Sequence, residues 1–249
     1  MSSILYLLSP AKKLNTQPFA LPTEPTEPKR TQQAKAIMKA LQKLNGIQLE
    51  KVMAAKGKLL QEVADMHAQW EKSSAYPAAA LYNGDAYTRL NARSWSPETW
   101  AFAQAHLWIL SGLYGALCPT DLVQPYRLMV GAPWSPNPDF KNLYDYWKKD
   151  ILKDLKSKQP QVIVNCASQE YSAMIEGWSD CPIIHIDFKV KKGAELASVS
   201  SFSKQARGEM VRLAMEQKIT QPEDLKKLEV LGFQFDNKFS DNQNWIYVK

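Results

Sequence analysis

The amino-acid sequence predicts an α/β fold: a single domain over residues 1–249 with a mixed, partly parallel sheet and helical insertions. The chain has 249 residues, of which 45% are hydrophobic, so one substantial core can form. Short apolar runs alternate with helical segments in its middle, and neither an internal repeat nor a linker between two cores is evident. The composition excludes wholesale disorder, collagen and a coiled coil.

The first elements follow from apolar runs and their breaks. Ile4–Leu8 is an apolar run that ends at Ser9-Pro10, which predicts a buried strand followed by a loop. Residues 15–30 contain four prolines, and proline fixes φ and removes a backbone donor, so an extended surface arm is expected. A helix is predicted over Thr31–Leu44, and one or two more over Gln48–Lys72, interrupted at Gly57.

The positive charge is concentrated in this first part of the chain. The whole sequence has a formal charge of +6, and residues 1–60 hold ten basic and three acidic side chains. Lys35, Lys39 and Lys43 recur every four residues, so they lie on one face of the predicted helix. This row is either a solvated helix face or a surface that contacts phosphates.

The middle of the chain is predicted to contain a strand and a long helix. Ala78–Tyr82 predicts a strand that ends at the turn Asn83-Gly84-Asp85. Ser96-Pro97-Glu98 is typical of a helix start, with a hydroxyl N-cap, a proline at the first position and an acid in the first turn. Apolar side chains from Trp100 to Tyr114 predict that one face of this helix is buried.

The second half alternates between helices and strands and ends in a hairpin. The predicted helices are Leu143–Leu155, Ser168–Glu176, Lys204–Lys218 and Pro222–Leu228, and the predicted strands are Gln161–Asn165, Pro182–Asp187 and Ala197–Ser201. Phe233–Phe235 and Trp245–Val248 flank a polar turn, which predicts an antiparallel end to the sheet.

Common catalytic and targeting signals are missing from the sequence. It contains no dinucleotide-binding glycine motif, no phosphate loop, no nucleophile elbow and no zinc-protease motif. His67, His106 and His185 are isolated, and the three cysteines are widely spaced. We therefore expect no cofactor and no resident metal. No apolar run is long enough for a membrane span, and the first residues lack a cationic start, so a cytoplasmic protein is expected.

Polar side chains are concentrated where strands are predicted to end. Because ligands bind at the carboxyl ends of strands in open α/β sheets, these side chains could converge there. They are Lys12, Ser168, Glu170, Tyr171, Asp187, Lys204 and Arg207, with Lys191 nearby. The alternative is that Ser168 caps a helix and that the charged groups form surface salt bridges.

A glycine pair is a further candidate. Gly112 and Gly115 follow the predicted helix, and glycine lets backbone N–H groups approach a phosphate closely. A helix-hairpin-helix element holds nucleic-acid backbone in this way. The other interpretation is a helix end followed by a tight turn.

Taken together, the sequence resembles the YaaA family of bacterial peroxide stress proteins. Five blocks carry the resemblance, in the order of that family: Ser9 to Lys12 (SPAK), Asn83 to Tyr87 (NGDAY), Leu110 to Leu128 (LSGLYGALCPTDLVQPYRL), Asn165 to Tyr171 (NCASQEY) and Phe202 to Met210 (FSKQARGEM). Two departures are Cys118, where the family usually has arginine, and Leu81-Tyr82-Asn83, where a Phe-Lys pair is commoner.

The resemblance implies a mixed α/β domain around a basic cleft, with a helix-hairpin-helix-like element beside it. It implies a role under hydrogen peroxide, in limiting damage from unincorporated iron, and it implies DNA binding. The expected DNA-binding residues are Lys12, Gly112, Gly115, Arg127, Lys191, Lys204 and Arg207. The expected partner is DNA, double-stranded or structurally distorted, bound largely without sequence preference, and no membrane partner is expected.

Three functional hypotheses remain open at this point. The first is a DNA-binding stress protein without catalysis, whose separate cations form one trough. The second is an enzyme that acts on a small nucleotide-like or other anionic molecule, with candidate residues Lys12, Ser168, Glu170, Tyr171 and Arg207. The third is direct iron binding, for which the sequence offers no compact ligand set. The oligomeric state is not determined by the sequence.

Overall fold

The computed structural model describes residues 4–193 and 195–249, and Met1, Ser2, Ser3 and Ala194 lie outside this part. The strands in the described part are β1 (Ile4–Leu8), β2 (Lys13–Leu14), β3 (Tyr76–Pro77), β4 (Tyr82–Asn83), β5 (Leu107–Ser111), β6 (Gly115–Leu117), β7 (Leu122–Val123), β8 (Val162–Asn165), β9 (Ile183–Lys192), β10 (Glu195–Ala197), β11 (Gln234–Phe235) and β12 (Asn244–Val248).

Helices connect these strands. They are α1 (Thr31–Leu41), α2 (Gly46–Met53), α3 (Gly57–Ala68), α4 (Ala78–Leu81), α5 (Asp85–Leu90), α6 (Pro97–His106), α7 (Leu143–Lys158), α8 (Gln169–Ser172), α9 (Ser200–Glu216) and α10 (Pro222–Leu225). Most helices and strands predicted from hydrophobic periodicity are present, with ends that differ by a few residues. The interruption predicted at Gly57 is where α3 begins.

The central sheet is mixed and mostly parallel, as predicted. Its strand order is β11-β12-β9-β8-β1-β5-β6, and β10 pairs with β9. β1 is parallel to both β5 and β8, β9 is parallel to β8 and β12, and the two outer pairs β5–β6 and β11–β12 are antiparallel. All five residues of β1 are buried, which explains its continuous apolar run.

Three local predictions were wrong. Ala197–Ser201 is not a strand, because β10 ends at Ala197 and α9 begins at Ser200. Ala78–Tyr82 is not a strand, because residues 78–81 form the short helix α4 and only Tyr82 starts a strand, β4. The helix that starts after Ser96 ends at His106, whereas Leu107 begins β5, which pairs with β1 in the centre of the sheet. Apolar residues from 107 to 114 satisfied a helical period by chance, and tertiary pairing decided the strand.

One close contact fixes the position of α9 against α5. Gly208 is buried in α9, and a Cβ atom there would lie 1.9 Å from the carbonyl oxygen of Ala86 in α5. Glycine is thus the residue that lets the two helices pack at this distance. Two of the blocks that carry the family resemblance, NGDAY and FSKQARGEM, therefore meet at a packing contact.

No helix in the described ranges is both long and apolar enough to cross a membrane.

Candidate functional site at the carboxyl edge of the sheet

The loops that follow β1 and β8 are joined side by side. These strands are parallel neighbours, with Leu7 opposite Asn165, so their carboxyl ends reach the same edge. The Ser9 hydroxyl accepts a hydrogen bond from the Ser168 N–H at 2.8 Å and contacts the Ser168 hydroxyl at 3.2 Å. The Tyr87 hydroxyl donates to the Ser9 carbonyl at 2.9 Å. Three of the five sequence blocks thus meet here, in a region that we call the carboxyl-edge site.

A buried chain of hydroxyl groups supports this site. The Tyr126 hydroxyl lies 2.6 Å from both the Ser111 hydroxyl and the Tyr82 hydroxyl. The Ser111 oxygen also accepts from the N–H groups of Leu113 and Tyr114. Burial raises the pKa of Tyr126 to about 12. The phenol is therefore neutral near pH 7, and the network fixes the Tyr126 ring against Ser111 and Tyr82.

Two cations and a phenol line one narrow pocket at this edge. Lys12, Arg127 and Tyr171 share it with Pro10 and Met129. The Arg127 backbone N–H donates to Nε2 of His67 at 3.3 Å. Nε of Arg127 is buried and has no hydrogen-bond acceptor in the described part of the chain. An unpaired buried donor is costly, and because this atom is enclosed an acceptor from outside the chain reaches it only if the side chain moves.

Tyr171 and His67 are both uncharged here. Burial raises the pKa of Tyr171 well above its usual range, and the hydroxyl donates to Sδ of Met129 at 3.6 Å. Burial lowers the pKa of His67 to about 4, so the ring is neutral near pH 7 and can accept the Arg127 N–H. The positive charge of the pocket therefore comes from Lys12 and Arg127.

Arg207 is partly neutralised by an acidic neighbour. An Nη atom of Arg207 lies 3.7 Å from Asp187, and Asp187 also pairs with Lys189 at 2.8 Å. Arg207 is the charged group that opposes the rise in the pKa of Cys166, which burial takes to about 12. Nε of Arg207 is also buried without a partner among the described residues.

The remaining charged candidates occupy different surroundings. Lys204 is exposed on α9 and Lys191 is exposed near the end of β9. The carboxylate of Glu170 accepts from the Gly131 N–H at 3.2 Å and lines a separate hollow with Tyr144. Glu170 and Tyr171 are thus adjacent in sequence but line different pockets. The structure brings Lys12, Arg127 and Tyr171 together, with Ser168 beside Ser9 near them.

The glycine pair has a packing role. The predicted helix-hairpin-helix element is not confirmed, because residues 107–117 form a β-hairpin of β5 and β6. Gly112 and Gly115 are buried, and Cβ atoms there would meet the Leu128 carbonyl oxygen at 2.7 Å and the Trp147 ring at 2.8 Å. The Trp147 indole N–H also donates to the Gly112 carbonyl at 2.9 Å. A backbone enclosed in this way does not face a phosphate.

The cations of the early segment divide into paired and unpaired groups. Lys29 and Arg30 bind Asp154 of α7 at 2.6 and 2.8 Å, and Arg30 also contacts Asp150. Lys35, Lys39 and Lys43 are exposed, and within the described residues no carboxylate lies in salt-bridge range of them. The excess charge of the first 60 residues is therefore only partly available to a partner.

The sequence did not single out Tyr82, His67 or Ser111 as site residues, and it named Tyr126 only as part of the PYRL motif. The only sequence signal that pointed to Tyr126 was its position next to Arg127, a candidate site residue. His67 lies on the buried face of α3 and contacts a residue 60 positions away, which no local pattern indicates. For metals, no group of three His, Cys, Asp or Glu side chains in ranges 4–193 and 195–249 is placed to hold an ion.

Comparisons with known proteins identify a family to which the sequence is similar. The sequence model of a family described as peroxide stress protein YaaA matches residues 4–239. Similar proteins, each named UPF0246 protein, occur in Rhizorhabdus wittichii (37% identity, 99% of each chain) and in Psychrobacter sp. strain PRwf-1 (34% identity, 97% of each chain). Another, from Neisseria gonorrhoeae, is 33% identical over 99% of this chain and 98% of its own.

Proposed function

The chain belongs to the YaaA family of peroxide stress proteins, and we propose that it serves the peroxide response by binding DNA at the carboxyl-edge site. Its binding is largely independent of sequence, it takes place in the cytoplasm, and it limits the damage done by unincorporated iron. The observation that carries this proposal is that the two cations Lys12 and Arg127 line one pocket. Phosphate oxygens are acceptors of the required charge.

The surrounding surface suits a long anion better than a point charge. The exposed Lys204 on α9 and Lys191 on β9 would supply further phosphate contacts, and Arg207 is partly neutralised by Asp187. Contacts of this kind neutralise phosphates and do not distinguish bases, so sequence preference is small. With about four to six such contacts, the logarithm of affinity should fall with the logarithm of salt concentration with a slope of about −4 to −5.

A physical link to iron follows from the same contacts. Cations condense around DNA, and these cations are released when lysine or arginine side chains bind the phosphates. Iron(II) held near DNA is one such cation, so the protein would displace it from the position where its reaction with peroxide breaks a strand. This explains protection without a metal site on the protein.

The test is a titration of intact and bulged duplexes at two salt concentrations. Lys12→Gln should weaken binding and reduce the magnitude of the salt slope by about 0.9, the contribution of one phosphate contact. Lys13→Gln is the matched control, because Lys13 is exposed beside Lys12 but does not line the pocket. Salt-insensitive binding, or equal losses in the two variants, would contradict the proposal.

The iron step has its own measurement. Nicking of plasmid DNA by iron(II) and peroxide should fall in the presence of the protein and fall less with Lys12→Gln. Protection that is identical for both proteins would separate iron limitation from the carboxyl-edge site.

An enzyme acting on a small anionic or nucleotide-like molecule is the second candidate. The convergence of Lys12, Arg127 and Tyr171 in one pocket is the observation behind it. Lys12 could act as a Schiff-base amine or stabilise negative charge, and Tyr171 could act as a proton donor, but Glu170 lines another hollow and would not assist as an acid or base there. Calorimetric titration with inorganic phosphate and a nucleoside monophosphate tests it: binding lost in Arg127→Gln, without duplex binding in the parent protein, favours the enzyme.

A further inference from the structure

A second cationic surface lies away from the carboxyl-edge pocket, between α1, the loop after residue 131 and α7. It is a groove of about 470 Å³, within the usual size range of ligand pockets. We call it the lysine–tryptophan groove, defined by Ala36, Lys39, Ala40, Lys43, Trp134 and Tyr146. None of its lining residues is a residue of the carboxyl-edge pocket.

The α1 side of the groove combines a small-residue floor with positive charge. Ala34, Ile37 and Met38 of α1 face the core, so Ala36 and Ala40 lie on the outer side of the helix. Alanine side chains leave space above the helix for a flat group. Lys39 and Lys43 are exposed at the rim, and no Asp or Glu of the described chain lines the groove to neutralise them.

The opposite side is aromatic and held in place. The Tyr146 ring makes edge contacts with Phe140 at 4.9 Å and with Trp147 at 5.0 Å between ring centroids. The backbone N–H of Trp134 donates to the Ala132 carbonyl at 2.7 Å, and Pro133 and Pro136 restrict this loop. Trp134 is half-buried, so part of its indole remains open to the groove. Rigid rings reduce the entropy lost when a ligand stacks on them.

We propose that the lysine–tryptophan groove binds unpaired nucleotides of a single DNA strand, with a base stacked against Trp134 and the adjoining phosphates on Lys39 and Lys43. This rests on the proposed DNA binding and assigns to it a separate contact for unpaired bases. A duplex offers its phosphates but keeps its base faces stacked inside, whereas an unpaired strand offers both groups that the groove can hold. An acidic peptide satisfies the lysines but leaves the ring without a partner.

The experiment compares three labelled oligodeoxynucleotides of equal length: an unpaired thymidine strand, an abasic strand with the same phosphates, and a duplex. Trp134→Ala should weaken binding of the thymidine strand about five- to a hundredfold, as expected for one stacked base. Binding of the abasic strand and of the duplex should stay unchanged. Lys39→Gln together with Lys43→Gln should reduce the magnitude of the single-strand salt slope by about 1.4, for two phosphate contacts.

Controls keep the result independent of folding. Trp134→Phe retains a ring in the same position and should lose only part of the affinity. Lys72→Gln together with Lys156→Gln removes two exposed charges that do not line the groove, and it should leave single-strand binding unchanged.

The outcomes separate this inference from the proposed function. Two results would overturn the proposal for the groove. One is that Trp134→Ala weakens binding of the thymidine strand and of the abasic strand equally. The other is that neither the tryptophan variant nor the lysine variant changes single-strand binding. Displacement of the strand by polyglutamate as readily as by unlabelled thymidine strand would assign the groove to acidic peptides instead. If the duplex does not bind but single-strand binding depends on Trp134, the proposal for the carboxyl-edge site is wrong and the proposal for the groove is supported.

Discussion

The carboxyl-edge site and the lysine–tryptophan groove use polar residues in opposite ways. At the edge, Tyr82, Tyr126 and Ser111 are buried and bind one another, so their polar groups are satisfied inside the protein. In the groove, Lys39 and Lys43 are exposed and carry free charge. The comparison teaches that Tyr82 and the motif residues Tyr126 and Ser111 serve to assemble the site, and that exposed positive charge also lies outside the motifs, at Lys39 and Lys43.

The largest effect on stability should come from Gly208, the glycine at the contact between α5 and α9. Gly208→Ala would place a Cβ 1.9 Å from the Ala86 carbonyl oxygen, and backbone cannot move aside as a flexible side chain can. We expect a loss of about 4 kcal/mol or more in the free energy of unfolding, measured by urea denaturation.

A second glycine provides the matched control. Gly46 opens α2, and nothing lies within 4 Å of a Cβ built there. Gly46→Ala should therefore be neutral or stabilise by about 0.5–1 kcal/mol. If the two variants had equal stability, α5 and α9 would not be packed as closely as the structure has them.

The strands β1 and β8 and the glycine pair Gly112 and Gly115 show what the sequence could and could not predict. The apolar runs at β1 and β8 predicted the strands, because burial on both faces leaves a continuous hydrophobic stretch. The glycine pattern left Gly112 and Gly115 open between a phosphate-binding turn and a helix end followed by a tight turn. Glycine tolerates close approach by any group, and only the three-dimensional neighbours, Leu128 and Trp147, show that the approaching group is protein.

The sequence predicted some residues of the candidate site and missed others. Lys12 and Tyr171 follow strands whose carboxyl ends meet at one edge, so their convergence follows from the parallel order. Glu170 could not be separated from Tyr171 by sequence, because adjacent residues point in different directions at the start of a short helix. His67 could not be found, since its partner is distant in sequence.

The second prediction concerns pH and His67. Burial lowers its pKa from 6.5 to about 4, so the unfolded chain binds this proton more readily than the folded protein does. The stability contributed by the neutral ring is complete above about pH 6.5 and is lost as pH falls through about 4. Relative to His67→Gln, the native protein should lose about 3 kcal/mol of unfolding free energy between these values.

Urea denaturation of both proteins at a series of pH values checks this difference. The direction of the change is decisive, because a histidine stabilised by a carboxylate would show the opposite dependence. Parallel curves for the two proteins would mean that His67 is solvated and does not orient the Arg127 backbone.

A third, smaller effect is expected within the hydroxyl network. Tyr126→Phe removes the hydroxyl that contacts both Ser111 and Tyr82, and it leaves two buried groups short of a partner. The expected cost is about 2 kcal/mol of unfolding free energy. In a double-mutant cycle with Tyr82→Phe the two losses should not add, because they remove the same bond. Additive losses would show that the two phenols are not coupled.

The smallest effect on stability belongs to the groove. Lys39→Gln together with Lys43→Gln removes two exposed charges without a carboxylate in salt-bridge range in the described part of the chain, so unfolding free energy should change by about 0.5 kcal/mol or less. Arg30→Gln, in the same segment, removes a cation bound to the buried Asp154 and should cost clearly more. This pair of results decides whether positive charge near α1 holds the fold or remains free for a partner. If the double lysine variant loses as much stability as Arg30→Gln, then Lys39 and Lys43 stabilise the fold. The groove would then not differ from the carboxyl-edge site in carrying charge that is free for a partner.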